Sequence, residues 1–231
     1  MNTNLPETTE LYRFTTFERL LDHIVNKRFT FLKYKLFDDQ WEGFYHKGFH
    51  KINEHDSYSV LGENRPFIMC FTKRIVSEAM WRIYSRDSRG VQIVTNVGRL
   101  KNLVAGCCSE FDCHLREVIY DDEIEKDDFF VKNFPKATMQ EKAFECLFRK
   151  RRAFDHEEEV RLVLYSPKDR PDSDLHFLYC DPNEVIQRVI LDPRIDKRTE
   201  DLQIMTIQKL GFSGKVAKSS LYTYKRVWYK T

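Results

Sequence analysis

The sequence lacks the short motifs that identify many enzymes at sight. It contains no G-x-G-x-x-G and no P-loop, so the usual glycine-rich loops that hold phosphates are missing. It also has no G-x-S-x-G nucleophile elbow and no H-E-x-x-H zinc motif. The six cysteines show neither C-x-x-C spacing nor a disulfide framework, and complete pairs of zinc ligands are absent. We therefore expect reduced cysteines and no metal.

Long apolar runs and an excess of one charge are missing as well. No apolar run approaches the roughly 18 residues that a membrane span needs, and the first residues contain no apolar signal segment. Lys and Arg number 38 against 36 Asp and Glu, so the net charge of +2 gives no overall field that would hold a polyanion. We expect a soluble, cytoplasmic protein in which contact with nucleic acid would need a local basic patch.

The composition suits one packed domain. With 231 residues, of which 42% are hydrophobic, the chain is long enough for one core and short for two. There is no internal repeat and no shift in composition that would mark a linker. We expect a single domain over residues 11–225, with terminal segments 1–10 and 226–231.

The predicted strands and helices interleave irregularly, which favours an α+β fold with a mixed or mostly antiparallel sheet and flanking helices. Residues 11–14, a helix capped by Thr16 and residues 29–32 give strand, helix, strand at the start. Ser77 and Asn96 are expected to cap two further helices. Other strands are predicted over residues 67–71, 91–95, 113–120, 154–165, 175–179, 185–191 and 221–229, and other helices over residues 137–150 and from 199 to about 211.

The stretch from Phe154 to Tyr165, FDHEEEVRLVLY, leads three consecutive carboxylates into an apolar run rich in β-branched residues. This pattern predicts a strand, on which Glu157, Glu159 and Arg161 share one face. Two interpretations are open. The acids are either the solvated beginning of a strand, with a surface ion pair from Glu159 to Arg161, or inward-facing carboxylates that serve as acids, bases or hydroxyl anchors.

A basic run, Arg149, Lys150, Arg151 and Arg152, directly precedes the acidic stretch. Such a run is typical of the solvated last turn of a helix, where cations suit the helix dipole. Alternatively, the four side chains contact phosphate from a nucleotide or from nucleic acid.

Residues 36–62 mix aromatic side chains with acids, histidines and glycines without a clear period. Segments of this kind are often lids or binding loops. Trp41, Phe44 and Tyr45 either pack in the core or stack on a ligand.

Four segments occur in an order that resembles a known bacterial family. They are Leu11-Tyr12-Arg13-Phe14; Phe37 to Gly43, FDDQWEG; Cys70-Phe71-Thr72 followed by Met80-Trp81-x-x-Tyr84 and Gly90-Val91; and Phe154-x-x-Glu157-x-Glu159-x-Arg161. The closing stretch Val189-Ile190-Leu191-x-Pro193 also fits. The family is domain of unknown function 2971, and the resemblance covers about residues 11–225. The chain departs from it at Asp38 and Gln40, where the family has Asn and Pro, and at Phe154, where Trp is usual.

A more distant resemblance concerns the order of Arg13, Thr72 and Glu157-x-Glu159. It is similar to the Arg, Ser-Thr-Ser, Glu-x-Glu layout of ADP-ribosyltransferases, whose folds also open with strand, helix, strand. The resemblance implies an ADP-ribosyltransferase-like fold with NAD as cofactor. It implies that Glu159 stabilises an oxocarbenium-like ribose, while Glu157 orients or deprotonates the acceptor. Arg13 would pair with a cofactor phosphate or ribose, and Thr72 would hold the strand geometry or a ribose hydroxyl.

Other side chains in these segments have two interpretations each. Trp81, Tyr84 or Trp41 would stack against nicotinamide, or they pack in the core. Arg161 is either a structural counter-ion of the glutamates or a ligand contact.

Three functional hypotheses follow. The first is an NAD-using ADP-ribosyltransferase-like enzyme, a toxin or phage-defence effector, which requires Arg13, Thr72 and Glu159 to converge within one cleft. The second is a non-catalytic nucleotide- or protein-binding module, which predicts exposed glutamates. The third is a divalent-metal nuclease, with Glu157, Glu159 and Asp38 or Asp39 as ligands beside the basic run. The acceptor is left open.

Overall fold

The computed structural model describes residues 1–37, 39, 50–51, 58–59, 64–124, 129–170 and 172–223. The strands are β1 Glu10–Thr15, β2 Arg28–Leu32, β3 His50–Lys51, β4 Tyr58–Ser59, β5 Pro66–Thr72, β6 Val91–Asn96, β7 Asp112–Glu117, β8 Ile119–Asp121, β9 Arg149–Arg151, β10 Glu159–Tyr165, β11 Leu175–Tyr179, β12 Arg188–Leu191 and β13 Lys215–Lys218. The α-helices are α1 Phe17–Val25, α2 Glu78–Tyr84, α3 Val97–Ala105, α4 Phe129–Asn133, α5 Met139–Cys146, α6 Pro182–Val185 and α7 Lys197–Lys209, with short 3₁₀ helices over Tyr34–Leu36 and Arg152–Glu157.

Nine strands form one sheet, in which β11, β2, β5, β1, β6, β12 and β13 lie side by side and β10 joins β7 to β5. The pairs within this sheet are antiparallel, except that β12 and β13 run parallel. Two smaller pairs, β3 with β4 and β8 with β9, lie apart from it. The expectation of an α+β fold with a mostly antiparallel sheet and helices is confirmed.

The helix beginnings follow from local sequence. The hydroxyl of Thr16 accepts a hydrogen bond from the backbone N–H of Arg19, and Ser77 and Asn96 cap α2 and α3 in the same way. Each cap satisfies a backbone donor that the first turn of a helix leaves unpaired. All three predicted caps are confirmed.

The sheet forks at β5. One edge of β5 pairs with β10 over its whole length, from Tyr165 opposite Pro66 to Glu159 opposite Thr72. The other edge is shared, because β2 pairs with it at Ile68 and β1 pairs with it at Thr72. The carbonyl of Cys70 lies between these two points and accepts a hydrogen bond from Arg13 instead of a strand. The fork therefore leaves a polar notch inside the sheet.

Strand β10 is covered on both faces. Val160, Leu162 and Leu164 belong to the main core, whereas Val163 packs with Tyr34 in a smaller core on the opposite face. Six of its seven residues are buried. This explains its nearly continuous apolar sequence, and it places Glu159 away from bulk water.

Several predicted boundaries are wrong. The helix expected over residues 137–150 ends at Cys146, and Arg149–Arg151 form a short strand parallel to Ile119–Asp121. The central strand begins at Glu159, because residues 152–157 form a 3₁₀ helix and Glu158 adopts a left-handed conformation. Glu157 therefore does not lie on the strand. A strand over residues 215–218 was not predicted, and the expected edge strand lies largely outside the described residues.

Two further expectations concern the aromatic residues of segment 36–62 and the absence of a membrane span. Trp41, Phe44 and Tyr45 lie outside the described residues. In the part of the chain that is described, no helix combines the length and the apolar character needed to cross a bilayer.

Candidate active site

A cavity of about 410 Å³ lies at the fork of the sheet. Its wall is made by β1, the start of α1, the end of β2, strand β5, helix α2 and the segment from Lys150 to Glu159. The volume falls within the range of about 300–1,000 Å³ that is usual for small-molecule sites. Five of the predicted site residues line it, namely Arg13, Thr72, Tyr84, Glu157 and Glu159. Arg13, Thr72 and Glu159 thus border one cleft.

Arg13 is held at the fork by the backbone. Its Nη1 donates to the carbonyl of Cys70 at 2.7 Å, while its Nε is buried without a hydrogen-bond partner. Burial lowers the pKa of the guanidinium, but an arginine side chain stays charged in proteins. Among the described residues, no carboxylate forms an ion pair with Arg13. Its charge and one donor are therefore available to an anionic ligand.

Two polar groups that the sequence reasoning missed border the cavity near Arg13. Arg19 is exposed in α1, and Thr15 is buried with an Oγ1 that has no hydrogen-bond partner. Helix α1 begins beside them after Thr16, so its first backbone N–H groups and its dipole also favour negative charge. The only signal in the sequence was the proximity of these residues to Arg13.

Glu159 forms a buried pair with Arg161. Its two carboxylate oxygens accept hydrogen bonds from Arg161 Nε and Nη2, both at 2.9 Å, and the residues are 5% and 1% exposed. Burial alone would raise the pKa of Glu159, but Arg161, with help from Lys150 and the Cys70 thiol, outweighs it and lowers the pKa to about 2. Glu159 is therefore ionised at neutral pH. The interpretation of a solvated surface pair is wrong.

The guanidinium of Arg161 is engaged by the protein. Its Nη1 donates to the carbonyl of Leu147 at 2.8 Å, and the residue does not line the cavity. It acts in this structure as the counter-ion of Glu159, one of its two predicted roles.

Glu157 reaches the same place from the 3₁₀ helix. Its Oε1 accepts a hydrogen bond from the Tyr84 hydroxyl at 3.1 Å, and its Oε2 accepts one from Lys150 Nζ at 2.7 Å. Lys150 Nζ also lies 3.6 Å from Glu159 Oε2. Burial, followed by the charge of Glu157, raises the pKa of Tyr84, so this phenol stays a hydrogen-bond donor. Two carboxylates, a lysine and a tyrosine are thus joined in one cluster.

Thr72 fixes the backbone that carries Glu157. Its hydroxyl donates to the carbonyl of Glu157 and accepts from the N–H of Arg74. The turn between Glu157 and Glu159 is completed by Glu158, which has φ of 41° and pairs with Arg74 at 2.8 Å. Thr72 therefore holds the strand geometry in this structure.

The two aromatic residues of α2 differ. Trp81 is 2% exposed, packs edge-on against Phe14 with ring centroids 4.8 Å apart, and does not line the cavity. Of the two interpretations given for Trp81, the structure shows core packing. Tyr84 lines the cavity, is 41% exposed and stacks on Phe14.

The basic run does not form a free cationic surface. Lys150 is buried against the glutamates, Arg151 pairs with Asp39 at 2.8 Å, and Arg152 pairs with Asp122 at 2.8 Å. Arg149 lies over the rings of Phe129 and Phe134. Each of the four side chains thus has an acidic or aromatic neighbour, although the pair of Arg152 and Asp122 is solvent-exposed and weak. Contact of this run with phosphate stays a prediction.

Three acids border the cavity, namely Asp39, Glu157 and Glu159. Among the described residues, there is no group of three or more His, Cys, Asp or Glu side chains that could hold a metal ion. Asp39 borders the cavity but is engaged by Arg151. The lysine between Glu157 and Glu159 lies where a cation would otherwise bind the two carboxylates.

One family model matches part of the chain. It is described as a protein of unknown function, DUF2971, and it matches residues 80–162. The resemblance to DUF2971 is thus confirmed over a range that contains most of α2 and the pair Glu157 and Glu159. A search of curated proteins found no match.

Solved structures similar to this chain include complexes of DarT from Thermus sp. 2.9. The complex with ADP-ribosylated ssDNA has a TM-score of 0.45 at 10% identity and covers 97% of this chain and 100% of that one. The NAD+ complex has a TM-score of 0.43 at 10% identity, covering 96% and 100%, and the carba-NAD+ complex 0.41 at 12%, covering 95% and 100%. Similarities of this degree leave the function to be argued from the cavity itself.

Proposed function

We propose that this chain is an NAD-dependent ADP-ribosyltransferase-like enzyme whose reaction takes place in the cavity at the fork. The proposal rests chiefly on one observation: a cation without a carboxylate partner among the described residues, Arg13, borders the same cavity as a pair of buried glutamates. A ligand with an anionic part and a sugar part suits that combination. NAD has both.

The residues present fit such a ligand. The unpartnered Arg13 Nε and Thr15 Oγ1, the exposed Arg19 and the first turn of α1 offer donors and positive charge to a pyrophosphate. When bound, NAD would supply an ADP-ribosyl group: its bond to nicotinamide breaks, a bond to the acceptor forms, and the acceptor loses one proton.

The two glutamates have different environments and hence different proposed roles. Glu159 stays ionised because Arg161 holds it, so we assign it the electrostatic stabilisation of positive charge that develops on the ribose. Glu157 is held by Tyr84 and Lys150 rather than by a bidentate arginine, and we assign it the orientation of the acceptor and removal of its proton. Tyr84, as the exposed aromatic ring of the wall, would contact nicotinamide.

The test is incubation of labelled NAD with the protein, with and without cell extract, protein, DNA or RNA. We expect nicotinamide release and label transfer by the wild type. Glu159→Gln should lower the rate of nicotinamide release by about 100-fold or more, the loss that removal of an electrostatic stabiliser typically causes. Glu157→Gln should reduce transfer more than nicotinamide release. Glu7→Gln is the matched control, since Glu7 is exposed and pairs with Lys101.

If no condition gives NAD loss or transfer, and the wild type behaves like Glu159→Gln, the proposal is wrong. Binding of NAD by calorimetry without turnover would favour the non-catalytic nucleotide-binding module instead. Mg²⁺-dependent degradation of nucleic acid that Glu157→Gln abolishes would favour the nuclease.

A role as toxin or phage-defence effector rests on the resemblance alone. Induced expression in a bacterial host should slow growth or block phage propagation with the wild type and not with Glu159→Gln. Equal growth and equal plaque counts for the wild type and Glu159→Gln would contradict that role but not the proposed ADP-ribosyl transfer.

A further inference from the structure

Lys150 occupies a place that neither the basic run nor the Glu-x-Glu pattern indicates. It lies on β9, which is fixed by its parallel ladder with β8, where Tyr120 pairs with Lys150. From there its side chain enters the cavity wall, and Phe154 covers it with the ring centroid 4.6 Å from Nζ. Only 7% of the lysine is exposed. The β8–β9 ladder therefore fixes the backbone of Lys150, and the ring of Phe154 covers its ammonium group.

The lysine bridges the two glutamates. Its Nζ donates to Glu157 Oε2 at 2.7 Å and lies 3.6 Å from Glu159 Oε2. Two carboxylates so close together repel each other, and burial increases that repulsion because the local dielectric constant is low. Arg161 is bound by Glu159 through both of its oxygens, whereas Glu157 receives a neutral hydrogen bond from Tyr84. The positive charge of Lys150, hydrogen-bonded to Glu157 and close to Glu159, offsets the repulsion between the two carboxylates.

We propose that Lys150 is a positioning residue for the proposed reaction, holding Glu157 and Glu159 at one fixed separation. This inference rests on the proposed function. It adds that the geometry of the two carboxylates depends on the Lys150 ammonium group. Lys150 does not contact the reacting atoms in this account.

Charged and titratable groups approach the pair from several elements. They are Arg161 on the same strand, Arg13 from β1, Cys70 from β5, Tyr84 from α2 and Tyr120 from β8, whose hydroxyl accepts the N–H of Glu159. All of these groups remain when Lys150 alone is changed, so a change in the pH dependence of turnover would be due to the loss of the lysine.

The experiment compares NAD turnover by the wild type, Lys150→Met and Lys150→Arg across pH, with Lys101→Met as an exposed control. Lys150→Met should lower kcat by about 100-fold, the cost of misplacing a catalytic group by about 1 Å, with little change in KM. The acid limb of its profile should move to higher pH by about one unit or more, because a carboxylate without its cation binds a proton more readily. Lys150→Arg should restore the position of the limb. A folded Lys150→Met with wild-type kcat and pH profile overturns the proposal.

A second measurement uses the unaltered protein, so it holds even if Lys150→Met fails to fold. With ¹⁵N-labelled lysine, the Lys150 ammonium should give a proton signal in slow exchange with water at neutral pH, while Lys101 should not. Turnover of NAD together with a rapidly exchanging Lys150 ammonium contradicts this inference alone. A slowly exchanging ammonium in a protein that never consumes NAD contradicts the proposed function alone.

Discussion

The pair of Glu159 and Arg161 shows how a buried charge is tolerated at the level of single residues. Removing both ions from water costs several kcal/mol each, and the attraction between them offsets this only when the geometry is good. Here the geometry is bidentate, and the third nitrogen of Arg161 is satisfied by the Leu147 carbonyl. Removing one partner would leave the other buried and unsatisfied.

We predict that Arg161→Met lowers the free energy of unfolding by about 3–5 kcal/mol at pH 7, the usual effect of breaking a buried ion pair. Urea denaturation measures this. Arg161→Met combined with Glu159→Gln should recover part of the loss, since no unpaired charge is then buried.

The same pair gives a pH dependence with a definite sign. The pKa of Glu159 falls from 4.5 to about 2 on folding, so the pair stabilises fully above pH 4.5 and loses its effect as the pH falls toward 2. The difference in stability between the wild type and Arg161→Met should therefore narrow over that range. A difference that is constant from pH 7 to pH 3 would contradict this account.

Single residues also show where sequence reasoning stops. Arg13, Thr72 and Glu159 were chosen by the order of their motifs, and all three border the cavity. Lys150 was assigned to a surface run, because its neighbours are basic and nothing local shows that β9 turns inward. The only indication in the sequence that Lys150 contacts Glu157 was the opposite charge of these two residues, which are seven positions apart.

At the level of elements, the segment after α5 illustrates how tertiary pairing overrides periodicity. Residues 137–150 contain no Gly or Pro and keep a helical repeat, yet the helix ends at Cys146. Leu147 and Phe148 are buried in the smaller core, and the next three residues pair with β8. Burial and ladder formation outweigh a propensity of less than about 1 kcal/mol per residue. The N-terminal caps were predictable because they depend on one or two local residues.

The turn between the 3₁₀ helix and β10 allows a sharp test at this level. Glu158 has φ of 41°, where a residue with a Cβ is strained and glycine is not. Its ion pair with Arg74 joins two side chains that are each more than 40% exposed, so it contributes little. We predict that Glu158→Gly is more stable than Glu158→Ala by about 1 kcal/mol in thermal unfolding. Equal stability of the two variants, or a more stable alanine variant, would show that the turn is not strained.

On the scale of the whole molecule, the sheet is continuous along one edge of β5 and divided along the other. The apolar patterns predicted every strand of this sheet except β13, but the division depends on which partners share β5, and those lie far away in the sequence. The fork is also where the cavity lies. The overall class was therefore predictable, whereas the place of the site within it was not.

The fork has a consequence for the stability of the protein as a whole, through Arg13. A largely buried guanidinium that donates to the carbonyl of Cys70 and forms no ion pair with a carboxylate among the described residues is unfavourable for the folded state. We predict that Arg13→Met raises the free energy of unfolding by about 0.5–2 kcal/mol while abolishing the thermal shift caused by NAD. A loss of stability would show that the arginine is needed for folding, and a retained thermal shift would show that it is not needed for NAD binding. Selection for thermal stability alone would then replace Arg13 at an early stage and yield a stable but inactive protein.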